Sequence, residues 1–270
     1  MKIIFKQRKY KIAIVTSLAL LLSTTVFAQT DEQKGLDISA RSDRSDRGFG
    51  DSQVNLKMIL RNAAGKESTR TLVLKTLEVP DENEGDKSII VFDSPADISG
   101  TAILSHAKIL DADDQWLYLP ALKRIKRISS VNKSGPFVGS EFAFEDLTAS
   151  ELNKYKYMFI GIDTCGTLKC NKVERYPQYQ YSGYTRQVAW IDTDVYQIRK
   201  IEFYERRGDL LKTLSISGYK KYTGNIWRAQ HFVMKNHQTG KSTELIYSDY
   251  KFKTGLKDND FQKSDLRSAR

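Results

Sequence analysis

Few residues in this chain are of types and spacings that could do chemistry. Cys165 and Cys170 stand in 163-DTCGTLKCN-171 and are the only cysteines. Two thiolates with no histidine beside them cannot complete a tetrahedral zinc site, so the pair reads as a local disulfide in an oxidising compartment. Ser140 in 138-VGSEF-142 lacks the second glycine of a nucleophile elbow. His106, His231 and His237 fall at no metal-ligand spacing, and His106 alternates with Ala102 and Leu104 as a packed strand residue would. Asp111, Asp113 and Asp114 have the composition of a calcium loop without its glycine or distant glutamate, which makes them a solvated turn. Glu145 and Asp146 could form an acid/base pair, but they precede a capping box and read better as helix N-terminal charge. No phosphate-binding glycine loop is present, and nothing calls for a cofactor or a metal. An exported hydrolase is the weakest of the readings.

The first residues speak to compartment. Lys2, Lys6, Arg8, Lys9 and Lys11 precede an apolar run from Ile12 to Leu22, and Val26-Phe27-Ala28 ends the segment. That layout predicts a cleavable export signal over 1–28 and a periplasmic product; the apolar run falls short of the ~20 residues that span a bilayer. The whole chain carries 43 basic and 33 acidic residues, net +10. Five of the basic residues lie in the signal, leaving 38 against 33, or +5. Such a balance suits anionic lipid and gives little support to nucleic acid. At 40% hydrophobic and 11% aromatic, the remainder can bury a core and is not disordered.

The elements that must position these groups are mainly strands. Thr30 and Gln33 have capping-box spacing, predicting a short helix and polar link over 29–50. From 51 to 270 the pattern predicts one β domain. Val54, Leu56, Met58 and Leu60 alternate with polar residues, 62-NAAGK-66 turns, and 69-TRTLVLKTLEV-79 completes a hairpin. Strands are expected at 89–92, 101–110, 116–119 and 125–131. Thr148 and Glu151 suggest a second short helix, and a meander follows at 186–191, 197–205, 210–222, 226–236 and 242–253. The expected fold is mainly β with few helices: a strongly curved antiparallel sheet. Several strands, 198-IRKIEFY-204 among them, are apolar on both faces, as in a sheet with a greasy concave side and a partly covered outside. The aromatics Trp116, Tyr118, Phe137, Phe142, Phe144, Trp190, Phe203 and Phe232 are candidates to line a ligand cavity, with Trp227 in the same aromatic set. A cavity holding acyl chains needs no motif, because burial of apolar area supplies about 25 cal/mol per Å².

Three blocks carry a family resemblance: 92-FDSPADISGTAILSHAK-108, 115-QWLYLPALKRIKRISS-130 and 135-GPFVGSEFAFEDL-147, with 227-WRAQHFVMKNHQTGKSTEL-245 further on. They closely resemble the LolA-like family of outer-membrane lipoprotein-sorting proteins, in the periplasmic branch that accompanies RND-type exporters. The resemblance implies a half-open β-barrel closed by short helices, whose interior binds lipid or an acylated lipoprotein. Lys123, Arg124, Lys126 and Arg127 would then meet headgroups or an acidic partner from a turn, each worth about 1 kcal/mol near an anionic membrane. The plain alternative is a solvated edge that discourages strand pairing. An accessory or sensor protein docking an RND-type exporter is the second functional reading. The Cys165–Cys170 loop belongs to no shared pattern and is expected as an insertion near the cavity rim.

Overall fold

Thr30 starts the first element, its Oγ1 accepting from Gln33 N at 3.2 Å, and α1 runs Asp31–Asp46. The computed structural model describes residues 29–81, 84–148, 151–222 and 224–268. The export signal expected over 1–28 lies outside them.

Fifteen strands follow: β1 Asp51–Arg61, β2 Glu67–Leu77, β3 Glu84–Ser94, β4 Ala102–Lys108, β5 Asp114–Leu119, β6 Arg124–Arg127, β7 Tyr155–Cys165, β8 Leu168–Pro177, β9 Tyr184–Asp192, β10 Ile198–Glu205, β11 Leu210–Ser217, β12 Lys220–Lys221, β13 Trp227–Arg228, β14 His231–Asn236 and β15 Ser242–Phe252. Thirteen of them build one sheet in the order β6-β5-β4-β3-β2-β1-β15-β14-β11-β10-β9-β8-β7, every pair antiparallel. β6 and β7 are left as free edges, so the sheet does not close: this is the half-open antiparallel barrel. β12 and β13 form a separate two-stranded ribbon.

Local chemistry sets the registers. In the β1–β2 hairpin Asn62 Oδ1 accepts from Ala64 N and Lys66 N, and Gly65 takes the positive φ that the turn needs. Pairing then runs unbroken from Arg61↔Glu67 to Asp51↔Leu77. α1 lies on β7, where a Cβ on Gly35 would stand 2.8 Å from Phe159 N; only glycine permits that approach.

The blurred alternation now has a cause. Ile90 and Phe92 of β3 point to the main core, with Ile38, Leu56, Ile103, Phe137 and Phe203. Ile89 and Val91 point the other way, under Phe261 and Leu266 of two short 3-10 helices, Asp258–Phe261 and Lys263–Arg267. The tail is pinned by Asp51, whose carboxylate accepts from Thr254 N at 2.6 Å and Gly255 N at 3.2 Å. Both faces of these strands are therefore buried, each against a different partner.

Four expectations need correction. β7 and β8 form a long hairpin where only a cysteine loop was foreseen. The helix expected from Thr148 does not form over the described residues: a 3-10 turn at Phe144–Leu147 precedes Thr148, only a second at Leu152–Lys154 follows, and β7 begins at Tyr155. The strand expected over 125–131 stops at Arg127 and a 3-10 turn follows at Ser130–Asn132. The strand expected over 210–222 breaks at Gly218, whose positive φ of 68° suits glycine and which stands directly after the end of β11.

Candidate functional site

The concave face of the sheet encloses a cavity of about 460 Å³, within the range of small-molecule sites. Its floor is apolar: Val54, Leu56 and Met58 from β1, Leu72 and Leu74 from β2, Ile90 from β3 and Leu245 from β15. Phe137 and Leu147 close one side from the 128–154 connection, and α1 covers another with Ser39, Ser42, Asp43 and Asp46. Aromatic rings continue this lining beside the floor strands: Tyr219, Trp227, Phe232, Tyr247 and Tyr250, with Tyr247 paired across from Leu56 and Phe232 from Leu245. Tyr247 and Tyr250 stack with centroids 5.9 Å apart, and Tyr250 O–H donates to Ala229 O at 3.1 Å. Burial pushes both phenols above their ordinary range, so they stay neutral at any physiological pH.

A charged belt crosses the end of α1. Arg228 pairs with Asp46, and Arg47 bonds Asp43 at 2.9 Å and approaches Glu151 at 3.5 Å. Asp46 is a carboxylate of two environments. Its side chain is 62% exposed, while many protein atoms crowd round it at the end of α1, where it lines the cavity. That confinement pushes it up to about 6, against the partial relief that Arg228 gives. Burial also raises Asp86 and Glu151, which line the same cavity.

The sequence candidates divide. Phe137 and Phe232 line the large cavity. Phe203 lines a neighbouring pocket of about 140 Å³, and Phe144 a third, of about 370 Å³. Phe142 is buried within the main core. Trp116 and Tyr118 do not line the cavity: they pack on the outer face against Phe261 and Leu266, with the Trp116 ring edge-on to His106 at 5.2 Å. His106 Nε2 lies 2.8 Å from Phe261 O, and burial lowers its pKa, as suits a packed histidine. Trp190 is also external. It packs on the Cys165–Cys170 disulfide, with Lys200 Nζ 3.4 Å above its ring and its Nε1–H donating to Asp163 at 3.1 Å. The disulfide sits at the tip of the β7–β8 hairpin and away from the cavity lining. Strand parity alone decides these placements, and parity carries no label for inside or outside when both faces are apolar.

Lys123, Arg124, Lys126 and Arg127 lie on the β5–β6 hairpin at the free edge, all exposed; Arg127 pairs with Asp114. Leu122 at the tip is 55% exposed. Asp113 is not a solvated turn residue: it accepts from Lys108 N at 2.9 Å and pairs with the buried Lys154. Glu145 and Asp146 cap no α-helix. Glu145 accepts from Tyr179 and Ser182 hydroxyls at 3.0 Å and Gly183 N at 2.8 Å, and burial raises its pKa. Asp146 accepts from Ala143 N, Tyr184 O–H and Lys212. Both carboxylates tie the 128–154 connection to distant strands. The belt and the cavity tyrosines went unforeseen, because Asp43, Asp46 and Tyr250 look like surface residues until the sheet curls round them.

The fold has solved relatives. A domain from Vibrio parahaemolyticus assigned to outer-membrane lipoprotein sorting is 51% identical, with a TM-score of 0.85, covering 87% of this chain and 99% of its own. A DUF1329 family protein from Desulfovibrio piger is 28% identical, with a TM-score of 0.83, covering 88% and 99%. A LolA superfamily protein from Nitrosomonas europaea shares the fold at 22% identity and a TM-score of 0.68, covering 85% and 98%. A family model described as an uncharacterised protein matches residues 84–268, and no curated protein matches. With a half-identical sorting-domain relative along nearly its whole length, the chain belongs to the family of outer-membrane lipoprotein-sorting domains, built on the open curved sheet that the LolA superfamily shares.

Proposed function

We infer that the protein is a periplasmic carrier that shelters the acyl chains of a lipid or lipoprotein from water on the way to the outer membrane. The observation that carries this reading is the cavity itself, a mainly apolar hollow of about 460 Å³ between the concave sheet and α1, with a polar rim at the helix. Transfer of apolar area supplies the affinity without directional chemistry. The task makes and breaks no bonds, and Glu145 and Asp146, the nearest thing to an acid/base pair, have their oxygens occupied by structural donors. The exposed cations of the β5–β6 hairpin give the carrier a face for anionic headgroups. Docking to an RND-type exporter is carried by the sequence resemblance alone.

Extraction of the purified protein with organic solvent, followed by mass spectrometry, tests the reading. Lipid should co-purify, and delipidated protein should take up a fluorescent acyl probe. Protein that is lipid-free from its native host and refuses the probe overturns it.

A further inference from the structure

Arg175 is a cation without an anion. It sits on β8, 8% exposed, between the large cavity, which it lines beside Tyr157 and Ile191, and the neighbouring pocket, which it lines with Gln187 and Tyr155. One Nη2–H donates to Gln187 Oε1 at 2.5 Å across the β8–β9 register, and the guanidinium carbon lies 5.3 Å from the Tyr155 ring. Its Nε is buried and has no hydrogen-bond partner. Among the described residues it makes no ion pair. Several other interior cations do: Lys212 meets Asp146 at 2.7 Å, Arg199 meets Asp192 at 2.8 Å, and Lys154 pairs with Asp113, while Lys133 bonds the Asp113 carbonyl.

A guanidinium cannot escape this by losing its proton. Taking the charge from water costs several kcal/mol unless a partner repays it, and an orphaned buried donor adds to the cost. A second orphan lines the same cavity from α1: Ser39 Oγ is buried, at 7% residue exposure, with no partner. None of the five carboxylates lining the cavity pairs with Arg175. Asp43, Asp46 and Glu151 belong to the belt held by Arg47 and Arg228, Asp146 is held by Lys212, and Asp86 accepts from Val79 N at 3.0 Å.

We propose that Arg175, assisted by Ser39, is an anion anchor inside the cavity, and that the ligand is a single-tailed lipid with a carboxylate or phosphate head, bound head inward. The head must enter because an arginine this buried cannot reach a group left at the mouth. The planar fork offers two parallel N–H donors, which suits either oxyanion. This rests on the acyl-carrier reading and narrows its cargo from lipid or lipoprotein to a free anionic lipid.

Titration of the delipidated full protein with palmitate, methyl palmitate, laurate and dodecyl phosphate, near pH 8 and below their aggregation limits, tests it. Wild type should prefer palmitate to its ester by about tenfold to a hundredfold, the range of a charge-assisted contact. Arg175→Gln should abolish that preference and leave methyl palmitate binding within about twofold. Ser39→Ala should weaken palmitate alone, by a smaller factor. If dodecyl phosphate binds more tightly than laurate, the carboxylate of the same chain length, the head is a phosphate; the reverse order makes it a carboxylate. Equal affinity for acid and ester in wild type overturns the anchor while sparing the carrier reading, as does a preference that survives Arg175→Gln. Failure of all four ligands overturns both. Should Arg175→Gln not fold, the wild-type ratio of acid to ester and the Ser39→Ala variant still decide.

Discussion

Lys212 Nζ lies 2.7 Å from Asp146 Oδ2, and the two side chains are 4% and 6% exposed. The pair joins β11 to the 3-10 turn at Phe144–Leu147, and so fastens the 128–154 connection across the concave face. Lys212 Nζ also donates to Glu141 O at 2.9 Å, so one ammonium holds two points of the same connection. Removing one partner of a buried pair strands the other charge. Lys212→Met should therefore cost about 3–5 kcal/mol in guanidinium unfolding. Lys212→Met combined with Asp146→Leu should cost less than the sum of the single changes.

Asp46 gives stability a pH dependence of known sign. Its folded value of about 6 stands above the unfolded 3.8, so the folded chain binds the extra proton. The contribution to folding is fully present below the unfolded value and is lost as pH rises through the folded one. Thermal melts of wild type should fall relative to Asp46→Asn between about pH 4 and pH 6.5. Parallel curves across that window would show that Asp46 does not titrate there.

The hollow can be filled. Leu74 lines it from β2 and is partly buried, so Leu74→Trp adds a ring into existing space and not into packed core. Acyl-probe affinity should drop by about tenfold or more while the unfolding midpoint changes little. Trp190→Ala should do the reverse, destabilising the outer face without touching probe affinity.

Charge reversal at Lys123, Arg124 and Lys126 removes three exposed cations from the β5–β6 edge. With about 1 kcal/mol per cation near an anionic surface, sedimentation with phosphatidylglycerol vesicles should fall by about a hundredfold. Binding to neutral phosphatidylcholine vesicles and thermal stability should be unaffected.

The disulfide closes a short loop at a hairpin tip remote from the cavity. Cys165→Ser with Cys170→Ser should cost about 2 kcal/mol in the chain-entropy account. Lipid uptake by the folded double variant should match wild type.

The sequence made much of the scaffold legible. The Thr30 cap, the 62–66 turn and the strand periods are local signals, written in residues that act on their own backbone. β7 and β8 escaped because 155-YKYMFIGIDTC-165 mixes exposed isoleucines with a bulge at Gly161, which breaks the period. The split of the eight aromatics was illegible for a different reason. Alternation tells which residues share a face, but Trp116 and Phe137 differ in which face lies inside the curl.

What the sequence alone determined is the class of protein: a mainly β chain with a capped N-terminal helix, few tools for catalysis and the blocks of its family. What only the tertiary structure decided is where the ligand chemistry stands. Asp46, Arg175 and Ser39 are ordinary polar residues in one dimension. They acquire a shifted proton, an unanswered charge and an orphaned hydroxyl only when the sheet curls and crowds protein round them, and that environment is a property of the whole fold, not of a residue.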